Sequence, residues 1–284
     1  MGPKPIVIAE VGATHIGDIG RAKKLILLAK NSGADIVKFQ KRNPKESVPF
    51  EWWNKSHPNT AYSYGKTYLE HREKLELSAK QHVELKQYCE EIGIEYFCSV
   101  WDNTSANDII SLNPKRIKIP SAMNMNWDLM GHVYNNFKGE VHISLGMTSL
   151  IERKEIISQI AEWADCFSRT IFYHCTSIYP CPFENLYLNE IHNLVYMVGP
   201  TRVGFSNHGY GIATDMAALA LGATWFERHF IDDRTFPHSD SSASIEPGGL
   251  LKLSRDLKNV AKALRDKPEE LETEELEQRK KLRG

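Results

Sequence analysis

The chain has 284 residues, of which 42% are hydrophobic and 25% are charged, a balance typical of a large globular domain. Thirty-five basic and 36 acidic side chains leave a formal net charge of −1, so the overall field favours neither nucleic acid nor an anionic membrane surface. No run approaches the roughly 20 apolar residues of a membrane span, and the start, interrupted by Glu10, does not resemble a signal peptide. We therefore expect neither nucleic acid nor a membrane as a partner.

The cysteines indicate a reducing compartment. There are five, an odd number, and none has the two-residue spacing of a zinc site. Cys98 and Cys175 lie inside apolar runs. This usage is typical of reduced thiols, and it predicts a cytoplasmic protein.

In chain order, short runs of β-branched and aromatic residues alternate with longer segments of helical periodicity such as 21–30. Gly33, Gly93 and Gly222 favour helix ends. Strands separated by helices favour parallel pairing, and no GxGxxG motif follows the first strand. The sequence predicts an α/β fold, a (β/α)8 TIM barrel over residues 1–266, with strands at 6–11, 36–40, 95–100, 116–121, 140–146, 170–176, 202–208 and 224–231.

Two segments interrupt this alternation. Residues 41–71 form a long excursion after the second predicted strand, and loops of that length are uncommon unless they are functional or carry structure of their own. Residues 267–284 form a tail of alternating charge, predicted to be a solvated helix or an interaction segment. The excursion is rich in aromatic residues, namely Trp52, Trp53, Tyr62, Tyr64 and Tyr68.

Polar residues collect at the C-terminal ends of the predicted strands, where TIM barrels carry their chemistry. Lys38 and Lys118 lie among Ile, Val and Phe in the second and fourth strands. A lone lysine at such a place is usually a surface residue with a buried stem. Burying two unpaired ammonium groups is costly, and an anionic ligand would offset that cost.

Two histidines, His208 and His229, end the last two predicted strands. Strand alternation puts Ser206 with His208, and Glu227 with His229, on common faces. A single strand histidine is more often structural, but a pair beside carboxylates favours a metal site. Mn²⁺, Fe²⁺ and Zn²⁺ all suit such donors, and the sequence does not rank them.

Motifs along nearly the whole chain resemble the sialic acid synthase family. Their order matters more than any single motif, because collinear matches are far more specific than one short pattern. The motifs are IAEVGATHIGD (8–18), GADIVKFQK (33–41), GKTYLEH (65–71), KIPS (118–121), HCTSIYP (174–180), GFSNH (204–208), ERHF (227–230) and SDSSASIEPG (239–248).

The resemblance implies a metal-dependent condensation of phosphoenolpyruvate with an open-chain sugar, usually N-acetylmannosamine, to a nine-carbon 2-keto acid and phosphate. It implies that His208 and His229 hold the metal, first Mn²⁺, with Mg²⁺, Co²⁺ or Fe²⁺ as alternatives. It assigns proton handling to Glu10 and orientation to Glu227. The matched substrate-binding positions are Lys38, Gln40, Lys118, Ser121, Ser177 and Ser206, with Tyr179 and Asp240 facing the sugar.

Departures from the family pattern bear on the acceptor sugar. The stretches Thr14–Gly17, Ser99–Val100 and Ser144–Met147 differ from the common motifs, and Ser241 replaces a histidine. Typical members continue into a small antifreeze-protein-like domain that completes the partner's active site. Without it we expect an acceptor pocket that lacks one wall, compensation by the aromatic excursion or an acceptor without N-acetyl, and a homo-oligomer formed through the barrel.

Three alternatives remain open. A related condensing enzyme acting on a phosphorylated aldose would need extra basic residues at the barrel mouth, for which Lys41 and Arg42 are the candidates. A non-catalytic sugar- or phosphate-binding relative would have lost a metal or lysine position, yet these positions are all present. A metal-dependent aldolase would release no phosphate from phosphoenolpyruvate.

Overall fold

The computed structural model describes residues 4–283; residues 1–3 and residue 284, the last of the predicted tail, lie outside this description. Eight parallel strands form a closed barrel in which β1 pairs with both β2 and β8. The predicted TIM barrel is confirmed. The strands are β1 Ile6–Gly12, β2 Ile36–Lys41, β3 Glu95–Val100, β4 Arg116–Ile119, β5 Glu140–Ser144, β6 Thr170–Cys175, β7 Val203–Asn207 and β8 Trp225–His229.

The predicted strands agree with these bounds except at some ends. β4 stops at Ile119 rather than at residue 121, because Pro120 has no backbone N–H to continue the ladder. The helix predicted at 21–30 lies inside a longer one that begins after the Asp18 cap. The helices are α1 Ile19–Asn31, α2 Pro44–Ser47, α3 Tyr68–Leu75, α4 Ala79–Ile92, α5 Asn103–Ser111, α6 Trp127–Asn136, α7 Leu150–Glu162, α8 Asn189–Val198, α9 Ala213–Ala220, α10 Pro247–Ala263 and α11 Thr273–Arg283.

Local sequence signals fix several helix ends. Ser78 and Ser149 each form a capping box with the Gln or Glu three residues later, which satisfies free N–H groups at the start of α4 and α7. Gly93 follows α4 with φ of 73°, a left-handed conformation that glycine adopts without strain. The predicted glycine stops at Gly33 and Gly222 also come just after helices.

The strands divide their side chains between two buried layers, as their period of two requires. One set packs outward against the helices, for example Val37 and Phe39 of β2. The other set points into the barrel, where Ile36 belongs to a small apolar cluster near the strand starts. The next inward positions of β2 are Lys38 and Gln40. Along β2 the barrel interior therefore changes from apolar to polar.

The excursion after β2 carries its own structure, α2, two short 3-10 turns and α3. Its aromatic side chains pack on one another, as in the Phe50–Trp53 and Trp52–Tyr68 pairs. The Tyr64 hydroxyl donates a hydrogen bond to the Pro237 carbonyl (2.6 Å), which ties the excursion to the loop after β8.

At the other end of the described chain, α11 buries none of its residues. Within residues 4–283, no helix combines the length and the apolar character that crossing a bilayer requires.

Candidate active site

A cavity of about 80 Å³ opens at the C-terminal end of the barrel, inside the ring of strands. Its walls are the inward side chains of the last strand positions and of the residues just after the strands. The predicted site residues that line it are Glu10, Lys38, Gln40, Lys118, Ser121, Tyr179, Ser206, His208, Glu227 and His229.

A network of buried charges forms the floor of this cavity. The Lys38 Nζ lies 2.8 Å from Glu10 Oε2 and 3.7 Å from Glu227 Oε2, while its well-aligned hydrogen bond goes to Ser99 Oγ at 2.7 Å. The Lys118 Nζ donates to Glu227 Oε1 at 2.7 Å. Two ammonium groups and two carboxylates thus neutralise one another, which makes their burial tolerable.

One hydroxyl group and one amide group orient the two carboxylates. Ser206 Oγ donates to Glu227 Oε1 (3.2 Å), and Gln40 Nε2 donates to Glu10 Oε1 (2.8 Å). Within the described chain, the Oε2 atoms of both glutamates are buried and lack an aligned hydrogen-bond donor. Glu10 Oε2 nevertheless lies 2.8 Å from the Lys38 ammonium, so Glu227 Oε2, 3.7 Å from the same ammonium, is the less engaged of the two oxygens.

The two glutamates have different protonation chemistry. Burial raises the pKa of Glu10 despite Lys38, and the charge of Glu227 acts in the same direction. For Glu227 the nearby ammonium groups of Lys118 and Lys38 outweigh burial and lower its pKa to about 2. Burial lowers the pKa of Lys118 despite its ion pair. Carboxyl groups whose pKa values are pushed apart suit separate roles, one in proton transfer and one as a fixed charge.

A small cradle of hydroxyl groups surrounds Gly146, just after β5. A Cβ atom on Gly146 would lie 2.5 Å from Ser177 Oγ and 2.6 Å from Ser121 Oγ. The Ser177 hydroxyl is buried and has no hydrogen-bond partner among residues 4–283. Asn124 holds the cradle by donating to the Ser144 and Gly146 carbonyls, both at 2.9 Å. Converging hydroxyl donors beside Lys118 are suited to an oxyanion such as a phosphate.

The cradle predicts a strong effect of Gly146→Ala. The added methyl would displace the hydroxyls of Ser121 and Ser177. We expect the KM for a phosphate-bearing substrate to rise about tenfold or more, the loss of about one hydrogen bond to a charged group. Gly131→Ala is the control, because a Cβ there meets nothing within 4 Å. Equal KM values for the two variants in steady-state assays would contradict a role for the cradle.

The opposite side of the cavity carries the two histidines and a tyrosine. The ring centroids of His208 and His229 are 5.4 Å apart, and the Tyr179 ring lies 4.0 Å from that of His208. Asp240 Oδ2 is 3.7 Å from His229 Nδ1. The two imidazoles and the phenol line the β7 and β8 side of the cavity, and the Asp240 carboxylate lies beside His229.

The donor set fits a divalent cation held by two imidazoles. His208 Nδ1 donates to the Thr176 carbonyl (2.9 Å), so in the neutral ring Nε2 carries the lone pair, the arrangement usual for metal-binding histidines. Cys175 and the Thr176 carbonyl outweigh burial and raise the pKa of His208. Burial lowers the pKa of His229 to about 4, and its Nδ1, 3.7 Å from Asp240 Oδ2, has no hydrogen-bond partner in the described chain. No third histidine, cysteine or carboxylate among the described residues completes a cluster of three.

The remaining predicted site residues lie at the edges. Ser177 lines a neighbouring pocket with Met147 and Cys175. Asp240 does not line the cavity itself but lies next to His229, which does. Sequence reasoning missed Trp101 and Cys175, which also line the cavity. Strand periodicity could have indicated Cys175. It is the last residue of β6, a position comparable to that of His208, which directly follows β7. Trp101 lies one residue beyond β3 and two positions after Ser99, so the period of two, extended past the strand end, could have indicated it as well.

The eight strands close a TIM barrel whose C-terminal mouth holds a buried ammonium–carboxylate network and an imidazole pair. The chain belongs to the NeuB family, whose model matches residues 25–269. The resemblance to sialic acid synthases is confirmed.

Similar proteins come from animals and bacteria. The chain is 37% identical to the N-acetylneuraminate-9-phosphate synthase of Homo sapiens over 91% of this chain and 70% of the relative. It is 32% identical to the N,N'-diacetyllegionaminic acid synthase of Campylobacter jejuni over 93% and 78%. The solved N-acetylneuraminic acid (sialic acid) synthetase of Leptospira borgpetersenii superposes with a TM-score of 0.81 at 27% identity, covering 99% of this chain and 93% of that one.

Proposed function

We propose that the protein condenses phosphoenolpyruvate with an open-chain amino sugar, giving a nonulosonic 2-keto acid and phosphate. The observation that carries this proposal is the pairing of Lys38 and Lys118 with Glu10 and Glu227 on the floor of one cavity. Membership of a family whose relatives are named as synthases of such acids supports it.

In this proposal phosphoenolpyruvate binds between the lysines and the hydroxyl cradle. Its phosphate is held by Ser121 and Ser177 around Gly146, where a Cβ would be too close to both hydroxyls. Its carboxylate is drawn to Lys38 and Lys118, whose ammonium groups offset the charge that the substrate brings. Glu227 holds the two lysines in place through contacts of 2.7 and 3.7 Å.

The bond-forming step joins C3 of phosphoenolpyruvate to the aldehyde carbon, which leaves C2 with oxocarbenium character. Water then adds to C2 and phosphate departs, so that C2 becomes the ketone. Glu10 is the group that takes the proton from this water, because its carboxylate lines the cavity and burial raises its pKa. Gln40 fixes the other oxygen of Glu10.

A divalent cation, Mn²⁺ first among Mg²⁺, Co²⁺ and Fe²⁺, would be held by His208 and His229, and it would supply Lewis-acid polarisation of the aldehyde. Tyr179 packs against His208 and restricts how the sugar approaches the imidazoles. Asp240 lies on the same side and offers a hydrogen-bond acceptor to sugar hydroxyls.

We propose N-acetylmannosamine as the skeleton of the acceptor. We also propose the cytoplasm as the compartment, which the five free, buried cysteines support. Association into a homo-oligomer is supported by exposed apolar residues near the barrel mouth. Light scattering that gave only a monomer mass would contradict it. The exposed apolar residues near the barrel mouth are Met147, Leu150, Ile151, Ile178, Phe183 and Tyr187.

The test is phosphate release from phosphoenolpyruvate with Mn²⁺ across a panel of amino and neutral aldoses. We expect stoichiometric formation of phosphate and a nine-carbon keto acid with at least one 2-amino sugar. An aldolase would cleave or form a carbon–carbon bond without phosphate release. Sugar binding without turnover on any aldose would indicate a non-catalytic relative and contradict the proposal.

A further inference from the structure

A connected column of side chains runs inside the barrel from Lys118 towards the starts of the strands. The Lys118 Nζ lies 4.3 Å from the ring centroid of Tyr173 on β6. The Tyr173 hydroxyl is 2.7 Å from His142 Nδ1, and His142 Nε2 is 2.6 Å from Glu140 Oε1. Arg116 Nε donates to the same glutamate oxygen at 3.0 Å. Because Arg116 and Glu140 begin β4 and β5, the column connects the cavity floor with the N-terminal end of the barrel.

The hydrogen bonds of this column have one direction. Burial lowers the pKa of His142 to about 4, so its ring is neutral near pH 7. Burial alone would raise the pKa of Glu140, but the bond from His142 and the charge of Arg116 outweigh it and lower that pKa. His142 Nε2 therefore donates to a carboxylate, and its Nδ1 accepts from the Tyr173 hydroxyl. Burial raises the pKa of Tyr173, which keeps this proton in place.

The ring of Tyr173 is enclosed on several sides. It is fully buried and lies in register with Gly204 of β7. A Cβ atom on Gly204 would be 2.4 Å from Tyr173 Cε1 and 2.5 Å from Cδ1, so the ring rests against bare backbone. His142, which holds the hydroxyl, is itself packed between Phe97 and Trp225, with ring centroids 4.8 Å from each. A tyrosine held in this way keeps a fixed position beside Lys118.

The Lys118 ammonium needs such a neighbour, because it is buried in the cavity floor. Burial lowers the pKa of Lys118 even though Glu227 Oε1 lies 2.7 Å from its Nζ. An aromatic ring near a desolvated ammonium favours its charged state by a factor of up to roughly 30. The ring does so without accepting a conventional hydrogen bond, so the N–H donors stay available to an anion. Besides Tyr173, the ionisable groups that act on Lys118 from the surrounding strands are Lys38 of β2, His142 of β5, Cys175 of β6 and Glu227 of β8.

We propose that Tyr173 is a positioning residue, whose ring holds the Lys118 ammonium ready for phosphoenolpyruvate while the bond to His142 fixes that ring. This inference rests on the proposed function, in which Lys118 attracts the carboxylate of this substrate. Glu227 binds the ammonium from one side. The Tyr173 ring stabilises it from another without neutralising its charge. Lys118 is thereby preorganised for an anion before the anion arrives.

The experiment weakens the ring electrostatically while nearly preserving its shape. Phenylalanine and its mono-, di- and trifluoro analogues replace Tyr173 by nonsense suppression, because ring fluorines withdraw electron density from the aromatic face. With Mn²⁺ and a saturating acceptor, kcat/KM for phosphoenolpyruvate should fall steadily with each fluorine, by about tenfold in total and through KM. Tyr173→Phe should stay within about threefold of the unaltered enzyme, whereas Tyr173→Leu should lose roughly 30-fold.

The pH profile separates positioning from packing. Loss of the ring disfavours the charged form of Lys118, so kcat/KM of Tyr173→Leu should decline at a lower pH than that of Tyr173→Phe. Tyr134→Leu is the matched control, because Tyr134 on α6 is also buried and its hydroxyl is 2.6 Å from Thr170 Oγ1. It should lose stability but keep KM and the pH profile. A flat fluorine series in an active enzyme overturns the inference while the proposed function stands.

Absence of turnover with every acceptor would overturn the proposed function instead. The contact between Tyr173 and Lys118 is then decided by the pKa of Lys118, measured by NMR on isotopically labelled lysine with the signal assigned through Lys118→Met. A pKa that falls steadily along the fluorine series supports the contact, and a constant pKa overturns it. The fluorinated rings retain the packing of phenylalanine, so neither result depends on whether Tyr173→Leu folds.

Discussion

Lys38→Met should reduce kcat/KM for phosphoenolpyruvate by about 10²–10³-fold, the loss expected when one charge-stabilising donor is removed from a closed active site. Lys38 contacts Glu10, Glu227 and Ser99 at once, so its loss also leaves Glu10 without its cation. The barrel should still fold, because a buried carboxyl that loses its partner can take up a proton. Steady-state phosphate-release assays measure the change.

Lys41→Met is the control for this substitution. Lys41 lies on the same strand and is also buried, but it points out of the barrel towards α5. Its replacement should leave kcat/KM within about threefold while it costs some stability. If both variants lost activity equally, the effect would be one of folding. If Lys38→Met retained a third or more of the activity, the assignment of the cavity floor to substrate binding would be wrong.

Removal of metal should have the second large effect. Chelation should lower turnover by more than about 10²-fold, and added Mn²⁺ should restore it, because a Lewis acid is worth several kcal/mol at a developing alkoxide. His208→Ala and His229→Ala should each abolish this restoration. Titration calorimetry should show one Mn²⁺ site in the unaltered protein and none of comparable affinity in either variant.

His174→Ala separates metal binding from packing. His174 is buried at the end of β6, and its Nε2 donates to the Leu186 carbonyl at 2.7 Å, so its loss should affect stability but not metal stoichiometry. Retained turnover of both His208→Ala and His229→Ala after chelation would reject the metal role. Loss of Mn²⁺ binding in His174→Ala as well would show that the imidazole pair is not the specific ligand.

The sequence by itself determined the barrel and the side of each strand that carries the site. Alternation of β-branched runs with amphipathic segments is a local property, and a strand with period two commits Lys38 with Gln40, and Glu227 with His229, to one face. Once β2 and β8 are placed in a parallel barrel, these residues must point to its axis near the C-terminal ends. Ten of the predicted site residues accordingly line one cavity.

Only the tertiary structure decided which charges meet. Lys118 pairs with Glu227, 109 positions later, and the Arg42 backbone N–H donates to Glu76, 34 positions later. Such contacts depend on barrel closure and on loop paths, neither of which a local pattern encodes. The hydroxyl cradle has the same origin, because it exists only where the Gly146 backbone approaches two serines from other strand ends. Local periodicity fixes a side chain's direction, whereas distances between side chains on different elements follow from packing.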